Sequence, residues 1–309
     1  MDSSVTGPAA APLSIAAVER DTGLSKDTLR IWERRYGFPQ PLRDAVGERI
    51  YPPDQVEKLR LLKRLLDSGH RPGKLAALGI DELLALGGTP MARGTTVELI
   101  PGLAALLRAH DVPGLRGLLQ QGLMTHGLER FVVEQVVPMN HAVGDAWMRG
   151  ELTVAQEHLY TEALQLVLRQ AIGAMPVPPA GGPLVLMATL PQEAHGVGLL
   201  MAEAMLALRG WRCISLGVKV PIDDLVRAAE RVEADVVALS FAPSFKPAQA
   251  LDALVELRRR LPARTRVWAG GSNPALHRRL PTGVEAVTDI ALVPRLEEDF
   301  RLAAATPPA

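Results

Sequence analysis

Cysteine is almost absent from this sequence, since Cys213 is the only one among 309 residues. A single cysteine cannot form a disulfide within the chain or build a zinc site that needs several thiolates. No apolar run reaches the ~18 residues that a membrane-spanning helix needs, and the N-terminus lacks the basic-then-apolar pattern of a secretion signal. We therefore predict a cytoplasmic protein without a membrane partner.

Net charge is also absent, because 34 basic and 34 acidic side chains cancel. This balance excludes a uniformly basic surface for nucleic acid, but it does not exclude a local one. Residues 12–79 contain 13 Lys and Arg against 9 Asp and Glu, so this segment carries +4 and the rest of the chain −4. The basic charge is concentrated near the N-terminus.

Apolar residues make up 48% of the chain, which is enough for hydrophobic cores, and the length favours about two domains, or three if one is small. We predict a multidomain α/β protein. Its parts are an N-terminal winged helix-turn-helix at 12–80, a four-helix bundle at 96–176 and a C-terminal doubly wound Rossmann-like domain at 182–305. Residues 1–11 are predicted to be a leader, and 81–95 a linker rich in Gly and Pro.

Two short helices joined by a tight turn are predicted in the basic segment. Ser14 caps the first helix, which ends at Gly23, and Ser25 caps the second, at 26–36. A wing of two short strands follows at 42–51. This order is typical of a helix-turn-helix whose second helix enters the major groove of DNA.

The segment LSIAAVERDTGLSKDTLRIWERRYGFPQPLRD…ERIYPPDQVEKLRLLKRLLDSGH resembles the DNA-binding domain of the MerR superfamily over nearly its whole length. The resemblance implies a recognition helix at 26–36, with Trp32 in the core rather than on a base. The residues that it places on phosphates or base edges are Lys26, Arg30, Arg34, Arg35, Tyr36, Arg43, Arg49 and Tyr51.

Residues 97–174 have helical periodicity throughout. Asp111 begins one helix and Gly122 is predicted to end it; Pro138 is predicted to kink the next, and Thr153 starts the last. Trp147, Glu157 and His158 then fall at one end of the predicted bundle. Helical patterning alone favours a core tryptophan with a surface Glu–His pair over a ligand site.

Trp147, followed after nine residues by Glu157-His158, resembles the bundle signature of CarH/LitR-type cobalamin photoreceptors. The resemblance implies that Trp147 stacks over the upper-face adenosyl group of adenosylcobalamin, and that Glu157 and His158 border the same pocket and the assembly surface. Some family members carry a histidine directly after the tryptophan, which takes the upper cobalt position after photolysis. This chain has Met148 there.

Short apolar runs alternate with helical segments from 184 onward, a pattern that predicts a parallel, doubly wound sheet with ligands at the carboxyl ends of its strands. The dinucleotide fingerprint G-x-G-x-x-G does not follow the first strand. Glu193, His195 and Gly198 follow it instead. A carboxylate two residues before a histidine can orient the ring and raise its basicity, as metal-binding imidazoles require.

With Ser240 and Gly270-Gly271 at later strand ends, this set resembles the E/D-x-H-x-x-G … S-x-L … GG motif of cobalamin-binding domains. The resemblance implies that His195 is the lower cobalt ligand and that the displaced nucleotide tail lies between the Ser240 and Gly270-Gly271 strand ends. The sequence departs from the motif at Ala242, where the family has leucine.

Together the resemblances imply a light-responsive transcriptional repressor that binds operator DNA as an adenosylcobalamin-loaded oligomer, and that self-associates to a dimer and a ligand-dependent tetramer. Two alternatives stay open: a MerR-type regulator without photoswitching or without cobalamin, and a corrinoid methyl carrier. We predict no enzyme and no catalytic residue, because the sequence has neither a P-loop nor a conspicuous nucleophile–base pair.

Overall fold

The computed structural model describes residues 12–67, 70–86, 102–148, 151–278 and 280–305. The chain divides into two compact units, Met1–Thr95 with Gly144–Thr153 and Thr96–Val143 with Val154–Ala309. The predicted leader at 1–11 lies outside the described residues, as do residues 87–95 of the predicted linker. Within the described ranges, no helix is both long and apolar enough to cross a bilayer.

The first unit contains a small antiparallel sheet and short helices. Its elements are β1 (Leu13–Ser14), α1 (Ile15–Thr22), α2 (Lys26–Tyr36), β2 (Leu42–Arg43), β3 (Arg49–Tyr51), α3 (Pro53–Asp67), α4 (Pro72–Leu75) and α5 (Ile80–Leu86). Strand β3 pairs with both β1 and β2. The predicted helix-turn-helix and two-stranded wing are therefore present.

The caps of α1 and α2 explain where these helices begin. Ser14 Oγ accepts the N–H of Ala17 (3.3 Å) and Ser25 Oγ accepts the N–H of Thr28 (3.1 Å), as predicted. Gly23 ends α1 with a left-handed φ of 71°, a conformation that favours glycine.

Helix α5 corrects the predicted start of the linker at 81. Ile80–Leu86 is helical, and the fully buried Leu83 belongs to the same core as Leu29 and Trp32 of α2. The winged-helix fold thus extends beyond residue 80, because an apolar side chain of α5 completes its core.

Four helical segments precede the larger sheet: α6 (Leu103–Ala109), α7 (Val112–Arg130), α8 (Val137–Met148) and α9 (Val154–Gly173). Asp111 caps α7, as predicted, but Gly122 does not end it. A Cβ atom on Gly122 would overlap Gln135 Oε1 and lie 3.0 Å from the Phe131 ring. This glycine therefore permits close packing between helical segments. Sequence reasoning mistook it for the end of a helix.

The break in the helical path lies at Gly127 and in the turn before Pro138. Gly127 has non-helical φ and ψ of 71° and 163°. Phe131–Val136 then form a π-helical turn, after which the Val137 N–H donates to the Val132 carbonyl. Pro138 has no N–H and therefore cannot donate the ordinary hydrogen bond of an α-helix. The wider turn ahead of it removes the need for that bond.

The C-terminal sheet has five parallel strands in the order β5-β4-β6-β7-β8. The strands are β4 (Leu184–Ala188), β5 (Arg212–Gly217), β6 (Val236–Phe241), β7 (Arg266–Gly271) and β8 (Val284–Val287), with helices α10 (Val197–Ala207), α11 (Ile222–Arg231), α12 (Pro247–Arg260) and α13 (Val293–Ala305). Sequence reasoning did not identify β8 and α13. The strand order reverses at β4, so the carboxyl ends of β4 and β6 form the switch point where such sheets bind ligands.

Hydrophobic packing fixes the sheet between helices. Leu186, Val237 and Val267 pack with Leu225 of α11 and Leu254 of α12 in a buried cluster on one face. On the other face α10 packs against α13, and also against α7 and α9. The first turn of α10 follows the loop after β4 directly, so this packing positions that loop.

Candidate functional site

The loop between β4 and α10 presents an exposed imidazole anchored by a buried carboxylate. The Glu193 side chain is 2% exposed, whereas that of His195 is 66% exposed. His195 Nδ1 lies 2.6 Å from Glu193 Oε1, and the backbone N–H of His195 donates to the same oxygen (2.9 Å). The carboxylate therefore holds the ring through Nδ1.

The second oxygen of Glu193 fixes the carboxylate in turn. The N–H of Ala242, just after β6, donates to Glu193 Oε2 (2.8 Å). Burial alone would raise the pKa of the Glu193 carboxyl, but hydrogen bonds from the His195 ring and from the N–H groups of His195 and Ala242 outweigh it and lower this pKa. An ionised carboxylate only accepts hydrogen bonds, so Nδ1 donates to it and Nε2 is the ring nitrogen turned away from Glu193.

Two further buried polar residues, which sequence reasoning missed, tie this loop to its neighbours. Thr189 Oγ1 donates to the Glu193 carbonyl (2.7 Å) and accepts the Lys219 N–H (3.0 Å). Asn273 Nδ2 donates to the carbonyl of Ala242 (2.8 Å). A polar residue directly after a buried strand was a visible signal for Thr189, whereas Asn273 stands before a proline and looks like an ordinary turn residue.

Three predicted residues form a cradle at the ends of β6 and β7. Ser240 lies beside Gly270 in the sheet register. Its side chain is nine-tenths buried, and its hydroxyl has no hydrogen-bond partner among the described residues. A Cβ atom on Gly198 would lie 2.9 Å from Ser240 Oγ. Glycine at position 198 therefore lets α10 approach the Ser240 hydroxyl closely, because any side chain there would crowd that oxygen.

Gly271 is required by the backbone itself. Its φ of 114° is a conformation that side chains disfavour, and a Cβ atom there would overlap the Phe241 carbonyl oxygen. The second glycine of the pair therefore keeps β6 and β7 in close approach.

Among the described residues, His195 is not part of a multi-residue metal cage. Within the part of the chain that the structure describes, no three His, Cys, Asp or Glu side chains converge to hold a metal ion. Burial, and to a smaller extent the Glu203 carboxylate, raise the pKa of the Cys213 thiol to about 12. Cys213 is therefore a thiol at neutral pH and a poor metal ligand.

The predicted bundle residues are divided between the units. Trp147 is half-buried in the last turn of α8 and belongs to the first unit, whereas Glu157 and His158 lie in the first turns of α9 and belong to the second. His158 Nδ1 lies 2.6 Å from Glu157 Oε2, and Thr161 Oγ1 donates to Glu157 Oε1 (2.8 Å). Glu157 and His158 therefore form a second carboxylate–imidazole pair.

Helix α2 presents the basic face of the winged helix. Its exposed cations are Arg30, Arg34 and Arg35, with Lys26 and Tyr36 half-buried on the same helix. Arg43 on β2 is also exposed, and its guanidinium donates to the Gly47 carbonyl (2.6 Å), which places this charge on the wing.

Two predicted contacts have other roles in the described structure. Tyr51 is fully buried in the core that contains Trp32. This burial corrects its assignment as a surface contact, because β3 turns its side chain inward. Arg49 pairs with Glu33 of α2 (Nε to Oε2, 2.9 Å), and both side chains are largely shielded. This ion pair joins the wing to α2, while Trp32, as predicted, belongs to the core.

Family models match three segments of the chain. The model described as MerR HTH family regulatory protein matches residues 13–78. Models described as B12 binding domain match residues 99–171 and residues 183–292. The matched segments contain the winged helix, the helices before the large sheet and the sheet itself.

Two curated proteins from Myxococcus xanthus are similar over most of their length. The HTH-type transcriptional repressor CarH is 33% identical over 262 residues, which are 82% of this chain and 87% of that protein. The HTH-type transcriptional repressor CarA is 32% identical over 238 residues, 76% of this chain and 78% of that protein.

A solved structure shares the fold of much of this chain. The monomethylamine corrinoid protein of Methanosarcina barkeri matches with a TM-score of 0.52 and 16% identity, over 65% of this chain and 98% of that one. At this identity the likeness concerns architecture alone.

Proposed function

Because this chain belongs to the MerR-type, cobalamin-binding transcriptional repressors related to CarH and CarA, we propose that it binds operator DNA as an adenosylcobalamin-loaded oligomer and that light releases it. The chain is a DNA-binding, cobalamin-binding repressor rather than an enzyme. The observation that supports the proposal most directly is the exposed His195 ring held through Nδ1 by the buried Glu193.

In this proposal different residues of the chain bind different parts of the cofactor. His195 supplies Nε2 to cobalt, and Glu193 fixes the ring. Gly198, Ser240, Gly270 and Gly271 would border the nucleotide tail, as the family motif implies, and Gly198 keeps a side chain away from the Ser240 hydroxyl. Trp147, Glu157 and His158 cover the upper face, as the family signature implies.

Adenosylcobalamin supplies a cobalt–carbon bond that visible light breaks. We infer that illumination would expose the side chains of Trp147, Glu157 and His158, and that the tetramer would then separate into smaller units. Several winged helices on one tetramer bind DNA together, so separation lowers DNA affinity by ~10²–10⁴-fold without changing any single contact.

Gel filtration tests this switch. We expect addition of adenosylcobalamin in darkness to move the full chain to an earlier elution volume, and green light to reverse the change. An elution volume that stays the same under all conditions would exclude the switch. If the earlier volume appears but persists after illumination, the protein senses cobalamin without photoswitching.

The exposed cations of α2 are expected to contribute to DNA affinity mainly through phosphates. Replacing Arg34 by alanine should weaken operator binding and lower the slope of log affinity against log salt by about one, because one counterion fewer is released. Arg116→Ala, which removes an exposed charge from α7, is the matched control. An Arg34 variant with the salt slope of the wild type would remove this residue from the contact set.

A further inference from the structure

The backbone of Ala242 lies between two buried side chains, and both its N–H and its carbonyl are hydrogen-bonded. Its N–H donates to Glu193 Oε2 (2.8 Å), and its carbonyl accepts from Asn273 Nδ2 (2.8 Å). Glu193 comes from the loop after β4, Ala242 from the end of β6 and Asn273 from the loop after β7. Hydrogen bonds joined through the Ala242 backbone therefore link Asn273 to the ring of His195 across the carboxyl edge of the sheet.

Burial and several hydrogen bonds hold Asn273 in place, so it can act as the fixed end of this path. It is fully buried, and its Nδ2 also donates to the Phe245 carbonyl (2.7 Å). Its Oδ1 accepts the Ala275 N–H (2.9 Å). Both amide hydrogens and the amide oxygen are thus used, and an apolar replacement would leave buried backbone groups without partners.

We propose that Asn273 is a positioning residue for His195: it fixes the Ala242 backbone, whose N–H aligns the Glu193 carboxylate, and thereby selects the ring orientation in which Nδ1 faces Glu193. The assignment of cobalt to His195 rests on the proposed function, whereas the ring orientation belongs to the protein itself. The departure from the family motif at Ala242 is compatible with this role, because the backbone of that residue and not its side chain makes the contacts.

The ring orientation can be measured without any cofactor. In the apoprotein, ¹⁵N shifts of labelled histidine should report His195 as the tautomer protonated at Nδ1. Asn273→Leu should shift His195 towards a mixture of tautomers, because Glu193 loses the alignment of one of its donors. Asn273→Ser, whose shorter side chain disturbs packing differently, should shift the mixture in the same direction.

The axial bond provides a second readout. Bound cob(II)alamin with ¹⁴N-histidine should show nitrogen splitting in its electron paramagnetic resonance spectrum, changed by ¹⁵N labelling. We expect Asn273→Leu to lower the ratio of histidine-bound to unbound cobalt about tenfold, the scale at which residues behind a metal ligand act. Thr265→Val is the matched control: Thr265 is buried at the opposite end of β7, and its hydroxyl donates to the Ala234 carbonyl (3.0 Å).

A double-mutant cycle tests the path. If Asn273 acts through Glu193, Asn273→Leu should add little to the effect of Glu193→Gln on the axial ratio; full additivity would overturn the proposal. The proposal would also be overturned if the Asn273 variants showed the same apoprotein tautomers as Thr265→Val, or if both Asn273 variants failed to fold. Either result would assign Asn273 to stability alone. Wild-type protein that fails to bind cob(II)alamin would contradict the proposed function, while the apoprotein tautomers would still decide the role of Asn273.

Discussion

Replacement of His195 by alanine is expected to lower cobalamin affinity on the order of 100-fold, at the upper end of the range known for changes around metal sites. Two losses add in this variant. The coordinate bond from Nε2 disappears, and the ionised Glu193 carboxylate, which is 2% exposed, loses the ring N–H that it accepts over 2.6 Å.

Equilibrium binding and electron paramagnetic resonance of bound cob(II)alamin check this result. The part of the nitrogen splitting that changes with ¹⁵N-histidine labelling should vanish in His195→Ala. His277→Ala removes an exposed histidine from the loop region after β7 and should behave as the wild type. Unchanged splitting in His195→Ala would assign the axial bond to a different residue.

The largest loss of stability is expected from Gly271→Ala. The added Cβ would meet the backbone of Phe241 at its carbonyl oxygen, its carbonyl carbon (3.0 Å) and its nitrogen (3.1 Å), and φ is 114°. Backbone atoms of a central strand cannot move aside as a flexible side chain can. We expect a destabilisation of about 3 kcal/mol or more, from strain at φ together with overpacking.

Gly270→Ala is the matched control for this prediction. Its Cβ would lie 3.5 Å from the Val287 carbonyl oxygen, which is an ordinary contact. The expected loss is below about 1 kcal/mol. Urea denaturation of both variants measures this difference in stability. Equal midpoints would show that the close approach of β6 and β7 does not depend on Gly271.

The local elements follow from short-range chemistry, which is why most of them could be predicted. Ser14, Ser25 and Asp111 cap helices because their side-chain oxygens accept an N–H within the next turn, and no distant partner is needed. Gly122 shows where such reasoning fails. A helix-breaking residue was expected to end α7, but the packing of Phe131 and Gln135 requires a glycine inside the helix.

The candidate site was predicted in part for the same reason. Glu193 and His195 are two residues apart, so their pairing is a local event that the sequence can indicate. Asn273 was missed because its partners, Ala242 and Phe245, are distant in sequence and contribute only backbone atoms. Tyr51 was assigned to the surface because a wing tyrosine suits DNA, whereas β3 turns it into the core.

The sequence alone specifies the order of the winged helix, the helices and the parallel sheet, because capping residues and hydrophobic periodicity act over a few residues. It also separated the charge into a basic winged-helix segment and an acidic remainder, although the whole chain is neutral, and its single cysteine already excluded a thiolate cage. Tertiary structure alone decided which backbone groups meet at the carboxyl edge of the sheet. Those contacts join loops after different strands, and only the parallel pairing of β4, β6 and β7 brings the loops together.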